Sequence, residues 1–139
     1  MKLVSYMFFY AYAGVVILAG AWGAFINPHF DYYILFHMDT HLLPDYSRIN
    51  MMSQYRFLRA IELGFGLFSV IFVRDIFSEK KFNRLFLFIM GSGILARVAS
   101  IMFDGSPGGL MYFFLIFEVI GWTAIFSYSL NQVYKTQTS

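Results

Sequence analysis

Four charged residues fall inside apolar stretches of this 139-residue chain: Arg59, Glu62, Arg97 and Glu118. Two guanidinium groups and two carboxylates in such surroundings can pair with one another, receive an anionic head group or polar ligand tip, or carry a proton. The spacing helps them meet. Arg59 and Glu62 are three residues apart, and Gly93, Arg97, Ser100 and Asp104 recur at spacings of four, three and four, which puts each set on one helical stripe. A second constellation is His29, His37 and His41, interleaved with Asp31, Asp39 and Asp45. His37 and His41, four apart, could share a metal from one helical face, with Asp31 or Asp45 as oxygen ligands. They share a segment rather than facing helices, which argues against a pair of haem ligands.

Other chemistry is excluded by what the chain lacks. It has no cysteine, hence no disulfide, thiolate metal site or cysteine nucleophile. A strand-loop-helix GxGxxG, a P-loop, HExxH and GxSxG are all missing, and Gly91-Ser92-Gly93 lies inside an apolar run where glycine serves packing. The formal net charge of +2, with no run of five or more like charges, is too mild to suggest a nucleic-acid surface.

The elements that must position these groups follow from composition. The chain is 59% hydrophobic and 13% charged, with aromatic residues at 22%, against roughly a quarter charged in a soluble domain. Hydrocarbon forces backbone polar groups to bond within their own segment, so an apolar run of about 20 residues there is a helix that crosses about 30 Å. Four runs predict an all-α, four-transmembrane-helix bundle forming one domain over residues 1–139, with spans at about 6–26, 55–73, 82–103 and 109–128. Pro28, Pro44 and Pro107 fall between the runs, where a missing N–H costs nothing. Gly20 with Ala24, Ala60 with Gly64, and Ala96 with Ser100 suggest close helix approach. Lys2 and the apolar stretch ending near Ala19-Gly20-Ala21 also resemble a cleavable secretory signal, but we read a retained first helix.

Orientation follows from the basic flanks. Lys2, Arg74, Lys80, Lys81, Arg84 and Lys135 share one side, and Arg48 and Arg56 lie on the other. Both termini are therefore expected in the cytoplasm, with Tyr6, Tyr10, Tyr128 and Tyr134 in an inner aromatic belt and Trp22, Tyr55 and Tyr112 in an outer one. Residues 27–54 then make a long extracytoplasmic loop, in which Phe30–Leu43 is expected to lie on the interface as a helix or re-entrant piece. At 1.5 Å per residue, Arg59, Glu62, Arg97 and Glu118 reach similar depths of about 6 to 14 Å in the outer half. Charges there are costly, so we expect a balanced inward-facing layer that includes Ser100 and Asp104.

From Arg59 onward the chain resembles a family of small bacterial four-helix membrane proteins catalogued as a domain of unknown function, in the DoxX-like neighbourhood. Arg59-Ala60 with Gly64 and Gly66, the motif RVASIMFDGSP from Arg97 to Pro107, and Glu118 carry the resemblance. It implies a four-helix bundle in a bacterial cytoplasmic (inner) membrane and a role for Arg97 and Glu118, without implying an activity. The His-rich first loop departs from the compact loop of that pattern.

The expectation is a non-catalytic membrane component. It would be an accessory subunit of a larger complex, or a binder of lipid or another hydrophobic molecule such as a pigment or quinone. The alternative is a membrane-embedded enzyme or redox accessory acting on a quinone, isoprenoid or lipid, with Arg59 and Arg97 holding the polar head and Glu118 or His37 exchanging protons. The structural alternative for the charged layer is a clamp that fixes helix register. A relay through Glu118 has the weaker case, since no second intramembrane acid continues the path.

Overall fold

The N-terminal run has no proline before Pro28, and nothing in it competes with intrahelical hydrogen bonds. It forms α1, Lys2–Ala21, in the computed structural model, which describes residues 2–134. α1 widens into a π turn, Trp22–Ile26, and ends at Asn27, where the backbone leaves the helical region. That geometry frees the Asn27 side chain to cap α2, Pro28–Phe36, by accepting from the Phe30 N–H at 3.1 Å, and Pro28 stands where its missing N–H is not needed.

α2 stops at His37, which takes a left-handed conformation (φ 52°), and one 3-10 turn, Thr40–Leu42, follows. The segment Phe30–Leu43, expected as an interfacial helix or re-entrant piece, thus holds two shorter helical pieces with a break between them. Beyond Pro44 no glycine or proline interrupts the chain until Gly64, so α3 begins at Asp45 and runs to Ile71. Residues 45–54, expected as loop, are its first turns. α4, Val73–Ser78, α5, Lys80–Phe103, and α6, Gly109–Ser129, complete the order, and α6 ends in a π turn, Leu130–Tyr134. Gly105 (φ 109°) supplies the turn conformation after α5 that a side chain would disfavour. Among the described residues there is no strand.

Three helical stretches are long and apolar enough to cross a membrane: Lys2–Ile26, Lys80–Phe103 and Gly109–Tyr134. α3 is long but falls outside that class, because its apolar half still carries Arg56, Arg59 and Glu62. Large apolar side chains on the three stretches stay exposed, among them Leu18, Phe25, Phe88, Phe103, Phe113 and Ile116. Water would not tolerate so much exposed apolar surface on a soluble monomer.

The chain packs as two units, residues 13–68 and residues 1–12 with 69–139. In the first, α1 and α3 approach backbone to backbone. A Cβ on Gly20 would lie 2.6 Å from the Leu63 N and 2.8 Å from the Arg59 carbonyl, and one on Gly66 would lie 2.6 Å from Ile17 Cγ1. Tyr32, Met52 and Tyr55 form the core beside them, with Met38 and Met51 packed against it. Of the expected small-residue contacts, Gly20 and Ala24 face inward, whereas Gly64 opens onto empty space and Gly66 takes its place. Gly93 is open too.

In the second unit Phe9 packs on Phe77 (5.3 Å) and Phe86 (5.1 Å), and Tyr6 stacks on Phe77 (4.4 Å) with Tyr128 at its edge. Fully buried Asn83 donates to the Ile76 carbonyl (2.9 Å) and Ser129 Oγ (2.8 Å) and accepts from the Tyr134 hydroxyl (3.3 Å). Ser5 Oγ donates to the Ala124 carbonyl at 2.9 Å. These contacts gather the start of α1, the start of α5 and the end of α6 at one end, where Tyr6, Tyr10, Tyr128 and Tyr134 lie. Lys135 lies outside the described residues.

Candidate functional site

Arg59 sits in the unit formed by residues 13–68 with three oxygen partners. Its Nη1 donates to Glu62 Oε2 at 2.7 Å and its Nε to the Tyr55 hydroxyl at 2.8 Å, while Nη2 stands 3.6 Å from Asp31 Oδ2. The Tyr55 hydroxyl in turn donates to Asp31 Oδ2 at 2.8 Å. Tyr55, Arg59 and Glu62 meet because spacings of four and three share a helix face. Asp31 reaches them because Asn27 and Pro28 start α2 where its first turn faces α3. Gly23 leaves the room: a Cβ there would lie 2.7 Å from both Arg59 Cγ and Asp31 Oδ2. Arg59 and Asp31 keep only 16% and 14% of their side-chain surface exposed, against 47% for Glu62. The guanidinium lies 5.0 Å from the Tyr55 ring centroid, an added cation–π attraction. One cation thus faces two carboxylates. Arg56, one turn earlier, donates to the Ala24 carbonyl in the π turn that follows α1.

Arg97 sits in the other unit and forms a two-pronged pair with Glu118: Nε to Oε2 at 2.9 Å and Nη2 to Oε1 at 3.2 Å. Its remaining Nη1 approaches Met111 Sδ at 3.7 Å, and its Cζ lies 6.0 Å from the Phe114 ring centroid. Met111, Phe114 and Glu118 are spaced by three and four along α6, one stripe against the arginine. Arg97 keeps 37% of its side-chain surface and Glu118 16%. A bidentate fork is the strongest geometry a carboxylate and a guanidinium can adopt.

The expected layer of Arg59, Glu62, Arg97 and Glu118 therefore consists of two ion pairs, one in each unit. Ser100 and Asp104 bond each other at 2.9 Å on the exposed side of α5. Tyr55, expected in an outer belt, is buried in the cluster instead. Asp31 is the partner that sequence spacing did not supply, because its approach depends on how α2 folds back.

The histidines are arranged differently from the expected shared face. His37 ends α2, so it and His41 are not four apart on one continuous helix. His41 stacks on His29 instead, with centroids 4.8 Å apart and planes 16° from parallel. His29 Nδ1 lies 2.6 Å from the hydroxyl of buried Thr40. Burial, then the nearby His41, Arg56 and Arg48, pushes the His29 pKa below its ordinary value, with Asp39 opposing. Among the described residues no group of three or more His, Asp or Glu is placed to hold a metal ion.

Residues 4–128 match the family model described as a domain of unknown function, DUF4345. The chain belongs to that family. The DUF4345 match takes in both arginine clusters and the whole histidine segment. No curated protein and no solved structure matches the chain.

Proposed function

We propose that this DUF4345 protein is a non-catalytic integral membrane protein. In this reading it crosses the bilayer four times with both termini cytoplasmic, as an accessory subunit of a membrane complex or a binder of lipid or another hydrophobic molecule. The observation that carries the reading is a division of labour in the structure. Apolar side chains remain exposed along α1, α5 and α6, while Arg59, Arg97 and Glu118 turn to partners of opposite charge. That is the arrangement hydrocarbon demands. Pairing of Arg59 with Asp31 and Glu62 supports α3 as the fourth crossing, since a neutralised arginine is far cheaper there than a bare one.

The same pairing supports a non-catalytic role. A general acid or base must present a free oxygen to its substrate, whereas both carboxylate oxygens of Glu118 accept N–H donors from Arg97. We further place the protein in a bacterial inner membrane and near the DoxX-like proteins, on the resemblance of the RVASIMFDGSP segment. Gentle extraction followed by mass spectrometry tests the reading. A stoichiometric lipid, pigment, quinone or copurifying subunit supports it, and an empty monomer that turns over an isoprenoid or quinone substrate refutes it.

A further inference from the structure

The corner between α4 and α5 carries four basic side chains, Arg74, Lys80, Lys81 and Arg84, against two acids, Asp75 and Glu79. Four minus two leaves a surplus of two positive charges. Among the described residues one ion pair forms at this corner, Lys81 with Glu79 at 3.6 Å, and Lys81 is still 79% exposed. Helix stability does not account for the basic residues. Lys80 and Lys81 stand in the first turn of α5, which contains no acid, and the helix dipole disfavours cations there.

Aromatic rings lie against two of these charges. Arg84 Cζ lies 5.9 Å from the Tyr134 ring and Lys81 Nζ 5.3 Å from the Phe82 ring, and Phe82 stacks on Phe72 at 5.4 Å. The backbone beneath is fixed, because Ile76, Phe77 and Asn83 are buried and Asn83, on α5, donates across the turn to the Ile76 carbonyl on α4 and to Ser129 Oγ at the end of α6. One turn further along α5, Leu85 and Phe88 are exposed and apolar. Basic heads above an exposed apolar wall match the step from phosphate to acyl chain in a lipid leaflet.

We propose that this corner is a docking surface for anionic phospholipid head groups, with Arg74, Lys80, Lys81 and Arg84 receiving the phosphate. The proposal rests on the membrane reading above but concerns a different site from the two ion-pair clusters. Each basic side chain at a leaflet surface changes partition of an anionic lipid by at most about fivefold, so several together give a measurable preference.

The full chain, reconstituted in phosphatidylcholine vesicles, is probed by electron spin resonance with trace spin-labelled phosphatidylglycerol or spin-labelled phosphatidylcholine. Wild type is expected to immobilise the anionic probe several-fold more than the zwitterionic one, and salt should erode the difference. The triple variant Lys80→Gln, Lys81→Gln, Arg84→Gln should lose most of it, and Lys80→Arg with Lys81→Arg should keep it. Equal immobilisation of both probes by wild type, or an undiminished preference in the triple variant, overturns the proposal. If the triple variant does not reconstitute, a wild-type preference indifferent to salt overturns it as well. A chain that stays monodisperse without detergent and will not enter vesicles refutes the membrane reading itself.

Discussion

Replacing Arg97 with alanine is expected to destabilise the protein by about 2–3 kcal/mol. Breaking a buried ion pair from one side costs about 3–5 kcal/mol, because the remaining charge keeps its desolvation penalty and loses its partner. Here Glu118 is mostly buried, at 16% exposure, but Arg97 retains 37%, and the opening left by its side chain lets water reach the orphaned carboxylate, which brings the figure down to about 2–3 kcal/mol. For a chain of this length the loss corresponds to a midpoint about 4–12 °C lower. Thermal unfolding in mild detergent, followed by retention of the monodisperse peak, measures it. The companion variant Arg97→Met with Glu118→Leu removes both charges and should recover at least half of the loss, since paired removal leaves no orphan. Arg97→Ala with an unchanged midpoint, or a double variant no better than the single one, would refute the buried pairing.

Within the other cluster, Asp31→Ala should cost more than Glu62→Ala in the same assay: about 2 kcal/mol for the buried acid and about 0.5 kcal/mol for the half-exposed one. Tyr55→Phe deletes the hydroxyl between Arg59 and Asp31 and should lower stability by about 1–2 kcal/mol, readable as a midpoint shift. Gly20→Ala drives a methyl against the backbone of Leu63 and Arg59 and should abolish most folded yield. Gly64→Ala meets nothing within 4 Å and should be neutral or stabilising by up to about 1 kcal/mol. For His29, whose pKa is lowered in the folded state, the unfolded chain binds more protons near pH 6. The stability it contributes is full above the unfolded value of about 6.5 and is lost as pH falls through the lower folded value. Midpoints measured between about pH 7 and pH 5 should therefore fall more steeply for wild type than for His29→Gln.

The long apolar helices were legible because an uninterrupted apolar run of about 20 residues without proline reads as one helix. α1, α5 and α6 accordingly lie where hydropathy puts them. The start of α3 was not legible from hydropathy, since residues 45–54 are polar and helical. The better signals there are the proline at 44, the acid at 45 and the Asp45–Arg48 pair three residues apart. Glu62 could be set beside Arg59 from spacing alone, whereas depth placed Arg97 near the level of both Glu62 and Glu118 and left its partner open until the structure paired it with Glu118. Asp31 could not be set beside Arg59, because its approach depends on how α2 folds back after the local Asn27 cap and on the space at Gly23, the second a tertiary fact. The histidine spacing misled for a related reason. A spacing of four implies one face only while the helix is continuous, and His37, the first of the pair, turns left-handed and ends the helix before His41 is reached.

The two arginines differ in how readily a ligand could reach them, which bears on where a binder would bind. To accept an anionic group, an arginine must give up an acceptor it already holds. Arg97 holds both oxygens of a single carboxylate on another helix, so a ligand there must displace Glu118 into apolar surroundings, at the full cost of an orphaned charge. Arg59 holds two acids of unequal burial. Glu62 is half-exposed, against 16% exposure for Glu118, and sits on the same helix three residues away, so releasing it moves no backbone and leaves Arg59 still neutralised by Asp31. Asp31 and Tyr55 would keep the guanidinium in place meanwhile. The fork at Arg97 therefore suits a clamp between α5 and α6, and the open arm at Glu62 makes Arg59 the arginine better suited to exchange one acceptor for a ligand.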